Sequence, residues 1–169
     1  MQPNEYKMNP IVYQEAVSLA ERAKVAGEKG KTASPRELSA LNSDMGGRIP
    51  DWYIELVTSV PICGLEFALN ANDEDGVLIE WSDSNGMRGE SLECYPGLAI
   101  LERGFINIGG DPIGSGDSFF INGPEGGDDP PVFQVYHDIS DEADEIIRRG
   151  LNLIAPSLST LFREASFAD

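Results

Sequence analysis

The residues of this 169-residue chain best placed to do chemistry together run through a glycine-rich stretch, Ile108-Gly109-Gly110-Asp111-Pro112-Ile113-Gly114-Ser115-Gly116-Asp117, which leads into Ser118-Phe119-Phe120-Ile121-Asn122. Asp111 and Asp117, with His137 as base, are the residue types of a metal-dependent hydrolase. The surrounding sequence favours a structural role instead. A phosphate-binding loop needs Gly-Lys-Ser/Thr after its glycines, and a dinucleotide fingerprint needs a following helix; neither is present. Ser115 has Ile113 and Asp117 where a nucleophile elbow places glycines. Glycines turn a backbone sharply, and an aspartate before proline caps such a turn, so the stretch reads as a strand–turn–strand corner.

The remaining reactive types are sparse. His137 is the one histidine, which excludes two-histidine mechanisms and histidine-rich metal sites. Cys63 and Cys94 lack zinc spacing and read as two reduced, partly buried thiols. With Gly76 at the invariant glycine of an EF-hand loop, Asp73 and Asp75 fall at ligand positions, but Ala71 stands at the first position and Ser82 at the last, and the match fails. Asp111, Asp117, Asp128 and Asp129 are turn aspartates whose convergence on a metal nothing in the spacing fixes. Carboxylate pairs such as Glu80 and Asp83 are uninformative among 29 acids. No catalytic residue, metal or cofactor is expected.

The elements that must position these residues change character along the chain. Ile11, Val12, Ala16, Leu19, Ala20 and Ala23 fall at helical spacing over 10–26, ended by Gly27 and Gly30. Ser34-Pro35-Arg36-Glu37 supplies an N-cap, an N1 proline and a glutamate at the third position, which predicts a helix to about Asn42. Pro50 opens a third helix in which Trp52, Tyr53, Leu56, Val57 and Val60 share a stripe, ended by Pro61; the two aromatics read as core. β-rich runs follow at 65–69, 77–81, 98–102, 105–108, 118–122 and 132–137, with turns at 70–76 and 83–86, and these sequential hairpins predict an antiparallel sheet. A helix starts at Ser140-Asp141-Glu142 with Arg148 and Arg149 in its last turn. Another starts near Pro156, with Leu158, Leu161, Phe162 and Ala165 facing the sheet. The expected fold is α+β: a central, mainly antiparallel sheet flanked by N-terminal and C-terminal helices.

Charge narrows the partners. Residues 1–50 hold seven Lys/Arg and six acids, a net of +1, so 51–169 carry 23 acids against five Arg, a net of −18. That field repels phosphate backbones and anionic headgroups, which disfavours nucleic acid and membrane surfaces. It attracts basic proteins and speeds their encounter, and the same acidity also serves solubility. Met1-Gln2-Pro3-Asn4-Glu5-Tyr6 has neither the basic nor the apolar region of a signal peptide, and no run of eighteen apolar residues exists, so a cytoplasmic location is expected.

The order of several short motifs resembles the SUKH superfamily, which includes the Smi/Knr-type cell-wall-assembly regulators and many bacterial proteins. The resemblance rests on Ile49-Pro50-Asp51-Trp52-Tyr53 with Leu56, on Gly109-Gly110-Asp111-Pro112 leading into Asp117–Ile121, on Pro131-Val132-Phe133-Gln134-Val135-Tyr136-His137-Asp138, and on Ala155-Pro156-Ser157-Leu158-Ser159-Thr160-Leu161-Phe162. It spans about 34–165, which makes 34–169 a SUKH-like domain and 1–33 a helical extension within one globular unit. The resemblance implies an α+β domain that binds proteins and does no chemistry. Many bacterial members resemble immunity proteins that neutralise toxins, often nucleases, and others are regulatory adaptors. Its motif residues Pro50, Trp52, Tyr53, Gly110, Asp111, Pro112, Asp117, Pro131, Val132 and Tyr136 are mainly structural. The acidic turns Asp73, Glu74, Asp75, Asp128 and Asp129 are the expected contacts for a basic protein partner.

Overall fold

The structure, a computed structural model, describes residues 8–74 and 76–168. Six strands, β1 Glu66–Leu69, β2 Val77–Trp81, β3 Phe105–Gly110, β4 Phe119–Asn122, β5 Val132–Val135 and β6 Leu151–Ala155, lie side by side in chain order. Every neighbouring pair is antiparallel. Helices α1 Pro10–Val25, α2 Pro35–Asp44 and α3 Asp51–Ser59 precede the sheet. Helices α4 Ser84–Arg88 and α5 Gly97–Ile100 interrupt it, and α6 Ala143–Arg149 and α7 Leu158–Glu164 close the fold. The expected α+β architecture is therefore the observed one.

The caps explain where the first helices start. Asn9 accepts hydrogen bonds from the Ile11 and Val12 amides at 2.8 and 3.3 Å, and Ser34 accepts from the Glu37 amide at 3.3 Å with Pro35 at the first helical position. Each helix then buries its apolar stripe. Val12, Leu19, Leu38, Leu41, Tyr53, Leu56, Leu161 and Phe162 join Phe67, Ile79, Trp81, Ile108 and Phe119 in one core on one face of the sheet. A smaller core of Ile100, Phe105, Phe120, Val135 and Ile146 fills the opposite face under α5 and α6. Residues of α1 sit in the main core, and Arg22 in its last turn donates to the Phe162 and Ala165 carbonyls at the C-terminal end of α7. The N-terminal helix is thus tied to the last one.

The structure corrects several expectations. Residues 98–102, read as a strand, form α5 and a following 3₁₀ turn, Leu101–Arg103. A short apolar run does not distinguish strand from helix, and Pro96 just ahead of it starts the helical turn, its carbonyl accepting from the Ala99 and Ile100 amides. The turn expected at 83–86 is instead the start of α4, because Asp83 accepts from the Gly86 amide at 2.9 Å and caps a helix. Residues 151–155, for which the sequence pattern predicts no element, form the edge strand β6. The strand expected over 132–137 ends at Val135. Of the two thiols, Cys63 is buried and Cys94 exposed.

Candidate functional site

The glycine-rich corner is set by a polar network inside the sheet. Between β3 and β4 the register slips: Asn107 faces Phe120 and Gly109 faces Phe119, leaving Ile108 as an extra residue. Asn107 is fully buried, and its Nδ2 donates to the Gly109 and Phe119 carbonyls at 2.9 and 3.2 Å. Its Oδ1 accepts from Ser82 Oγ at 2.8 Å. One amide therefore holds the bulge, β4 and the end of β2. Gly109 must lack a side chain here, because a Cβ would sit 2.8 Å from Ile79 Cγ2 and 3.1 Å from the Glu80 carbonyl.

Beyond the bulge, the corner closes on itself. Asp111 accepts from the Ile113 amide at 2.9 Å with one oxygen and from the Ser115 hydroxyl with the other. Ser115 Oγ accepts from the Asp117 amide at 3.1 Å. Asp117 Oδ1 accepts from the His137 amide at 2.9 Å and from His137 Nδ1 at 2.7 Å. The hydrogen bond to Asp117 holds the His137 pKa above its ordinary 6.5, with Nδ1 carrying the proton. Asp111 is thus committed to bonds within the loop and Asp117 to His137 beyond β5, and Ser115 bonds to Asp111 rather than to the imidazole. Among the described residues no group of three His, Cys, Asp or Glu side chains is arranged to hold a metal ion.

The outer wall of this corner borders a cleft of about 320 Å³ where β2 and β3 meet through only Glu80–Gly110 and Trp81–Gly109. Its acids are Glu80, Asp83, Glu90 and Asp111, and Cys94 stands among them. Slight burial first, then Glu90 and Glu93, raise the Cys94 pKa, the opposite of what a thiolate nucleophile needs. Asp83 is held below the usual carboxylate range: burial opposes this, but the Gly86 amide and Lys31, at 3.4 Å, outweigh it. Glu80 and Asp83, one carboxylate pair among many in the sequence, both line this cleft.

The acidity continues across the sheet. Glu80 is the register partner of Glu66 on β1, and both side chains are exposed. Directly opposed like charges on neighbouring strands are destabilising. Glu66 in turn lines a second cleft with Glu28. Among the described residues, Glu28, Glu66, Glu80, Glu90 and Asp111 take part in no ion pair. The result is an acidic stripe running from the corner over the exposed face of the β1–β2 hairpin. Sequence reasoning missed it; the signal lay in the alternation of β1 and β2, which puts Glu66 and Glu80 on the face opposite Phe67, Ile79 and Trp81.

The structure separates the acids named from the sequence. Asp73 and Glu74 are exposed in the β1–β2 turn, and Asp75 lies outside the described residues. Asp128 and Asp129 follow β4, and in an antiparallel meander that loop leaves the opposite end of the sheet from the β1–β2 turn. Asp128 is exposed and 3.4 Å from the Asn9 amide group. Asp129 accepts from the Ser159 amide at 2.8 Å and its hydroxyl at 2.6 Å, capping the first turn of α7. The motif residues sort likewise: Pro50 precedes α3, Trp52, Tyr53 and Val132 are buried, Gly110, Asp111 and Pro112 wall the acidic cleft, Pro131 leads into β5, and Tyr136 lines a cleft beside Glu74.

Compared with protein-family models, curated proteins and solved structures, the chain finds no match. Among the described residues no helix is long and apolar enough to cross a membrane.

Proposed function

We propose that the protein is a non-enzymatic interaction module of the SUKH type, an immunity protein that acts in the cytoplasm by occluding a basic toxin. The observation that carries this reading is the exposed Glu66–Glu80 pair. Two carboxylates opposed across a ladder, continuous with the unpaired Glu90 and Asp111, weaken the hairpin on its own, and a basic partner would bring them a counter-charge. A nuclease toxin suits such a surface, since the face that holds phosphates is necessarily basic. The resemblance in motif order supplies the biological role, and the charge supplies the mode of inhibition: steering followed by steric cover.

Affinity capture from a lysate of the source organism under toxin-inducing conditions, eluted in a salt gradient, tests the reading. A basic toxin released at moderate salt, whose activity the purified protein abolishes, is the expected result. Capture of a basic protein that has no toxic activity contradicts the immunity role and points to a regulatory adaptor. A partner whose retention does not respond to salt contradicts the electrostatic reading.

A further inference from the structure

The two edges of the sheet are treated differently. The β1 edge is sealed by the C-terminal segment: the Ala68 amide donates to the Ser166 carbonyl at 2.8 Å and the Ser166 amide to the Ala68 carbonyl at 2.9 Å. The β6 edge has β5 on one side and, among the described residues, nothing paired on the other. The Tyr136 amide donates to the Gly150 carbonyl at 2.9 Å, so Gly150 and, by alternation, Asn152 turn their backbone groups toward β5. Leu151 and Leu153 therefore turn theirs outward. Exposed edges are ordinarily guarded by charge, proline or a bulge. Leu151-Asn152-Leu153-Ile154 carries neither charge nor proline; its one guard is a bulge at Ile154, where the register with β5 shifts between Leu153 and Ala155, and the side chain of Leu153, ahead of that bulge, is 56% exposed.

This edge borders a cleft of about 490 Å³. The sheet curls so that the β1–β2 tip, with Leu69, Asn70, Glu74 and Val77, faces Gln134 and Tyr136 of the β5 side across it. Asn152, Leu153 and Ile154 line it consecutively, so it meets β6 along the strand and not on one face alone. Glu74 is the charged group among its described lining residues.

Resting on the proposed role as a binder of basic proteins, the geometry points to β6 as the docking edge: an extended, lysine- or arginine-bearing segment of the partner adds to the sheet beside β6. Its backbone satisfies the outward groups of Leu151 and Leu153, and alternate side chains enter the cleft. A lysine or arginine stem lies against Leu153 while its charged end reaches Glu74. Charge complementarity selects this occupant over a second copy of the chain, which would bring its own Glu74 and another net charge of −17 to the same edge.

The test uses the full chain, isotope-labelled, with an alternating lysine–valine peptide of about nine residues. Controls are the same peptide methylated at every backbone amide and a glutamate–valine counterpart. With the lysine peptide, the Leu151 and Leu153 amides shift and become protected from exchange. Backbone methylation weakens binding about tenfold or more. L153K, which keeps the ladder to β5 and places a guarding charge on the edge, weakens it similarly. Lysine-peptide binding that leaves those amides unmoved, or that tolerates methylation, overturns strand addition and leaves the basic-partner reading standing. Failure of the lysine peptide to bind overturns it as well. Equal binding of the glutamate peptide overturns the choice of a basic occupant. Protection of Leu153 that rises with protein concentration alone assigns the edge to a second copy and overturns the proposal.

Discussion

Asn107 carries no charge, yet it decides where the glycine-rich corner lies. Its side chain fills three hydrogen-bonding roles in the dry interior, and truncation leaves Ser82 Oγ and the Gly109 and Phe119 carbonyls with fewer partners. Asn107→Ala should therefore destabilise by about 2 kcal/mol in chemical denaturation; a loss within experimental error would contradict the network's role. His137 gives a second residue-level test. Its folded pKa is raised, so its contribution to stability is complete below the ordinary value of 6.5 and fades as pH rises through the folded value. The single imidazole can be followed by NMR: the wild type should titrate above 6.5, and Asp117→Asn should bring it down toward that value. An unmoved midpoint would show that Asp117 does not hold the imidazole.

At the scale of elements, α7 shows how distant sequence supplies a cap. Ser157 accepts from the Thr160 amide at 3.1 Å, and Asp129, thirty positions before Ser159, satisfies a second amide of the first turn. Asp129→Ala should cost about 1 kcal/mol while leaving the association rate with the partner unchanged; slower association would return Asp129 to the binding surface. This cap also shows why part of the site was not legible. Helix α2 was readable because cap and proline coincide within one segment, and α1, α3 and α7 because an apolar stripe runs at helical spacing beside a proline or glycine boundary. Strands β1 to β5 were readable because turn residues bracket them. The strand β6 was missed although Gly150 and Pro156 bracket it, since its neighbours on both sides are helical. Residues 98–102 were misread because five apolar-rich residues carry no period. The acidic stripe, the Asn107 network and the Asp129 cap depend on register and on contacts between remote segments, which local pattern does not encode.

At the scale of the molecule, the distribution of charge matters more than its sum. The net −17 would serve solubility wherever the acids lay, but the structure sets Glu66 opposite Glu80 and runs unpaired carboxylates from there to the corner. Stability and binding therefore make opposite demands on these positions. The most direct measurement compares wild type and Glu80→Lys side by side, in denaturation and in salt-gradient capture from the source lysate. A lysine at position 80 faces Glu66 as an opposite charge, so the variant should gain about 0.5 kcal/mol and yet retain markedly less of the basic partner, releasing it at lower salt. A variant that holds the partner as firmly as the wild type would contradict the assignment of the stripe as the binding surface.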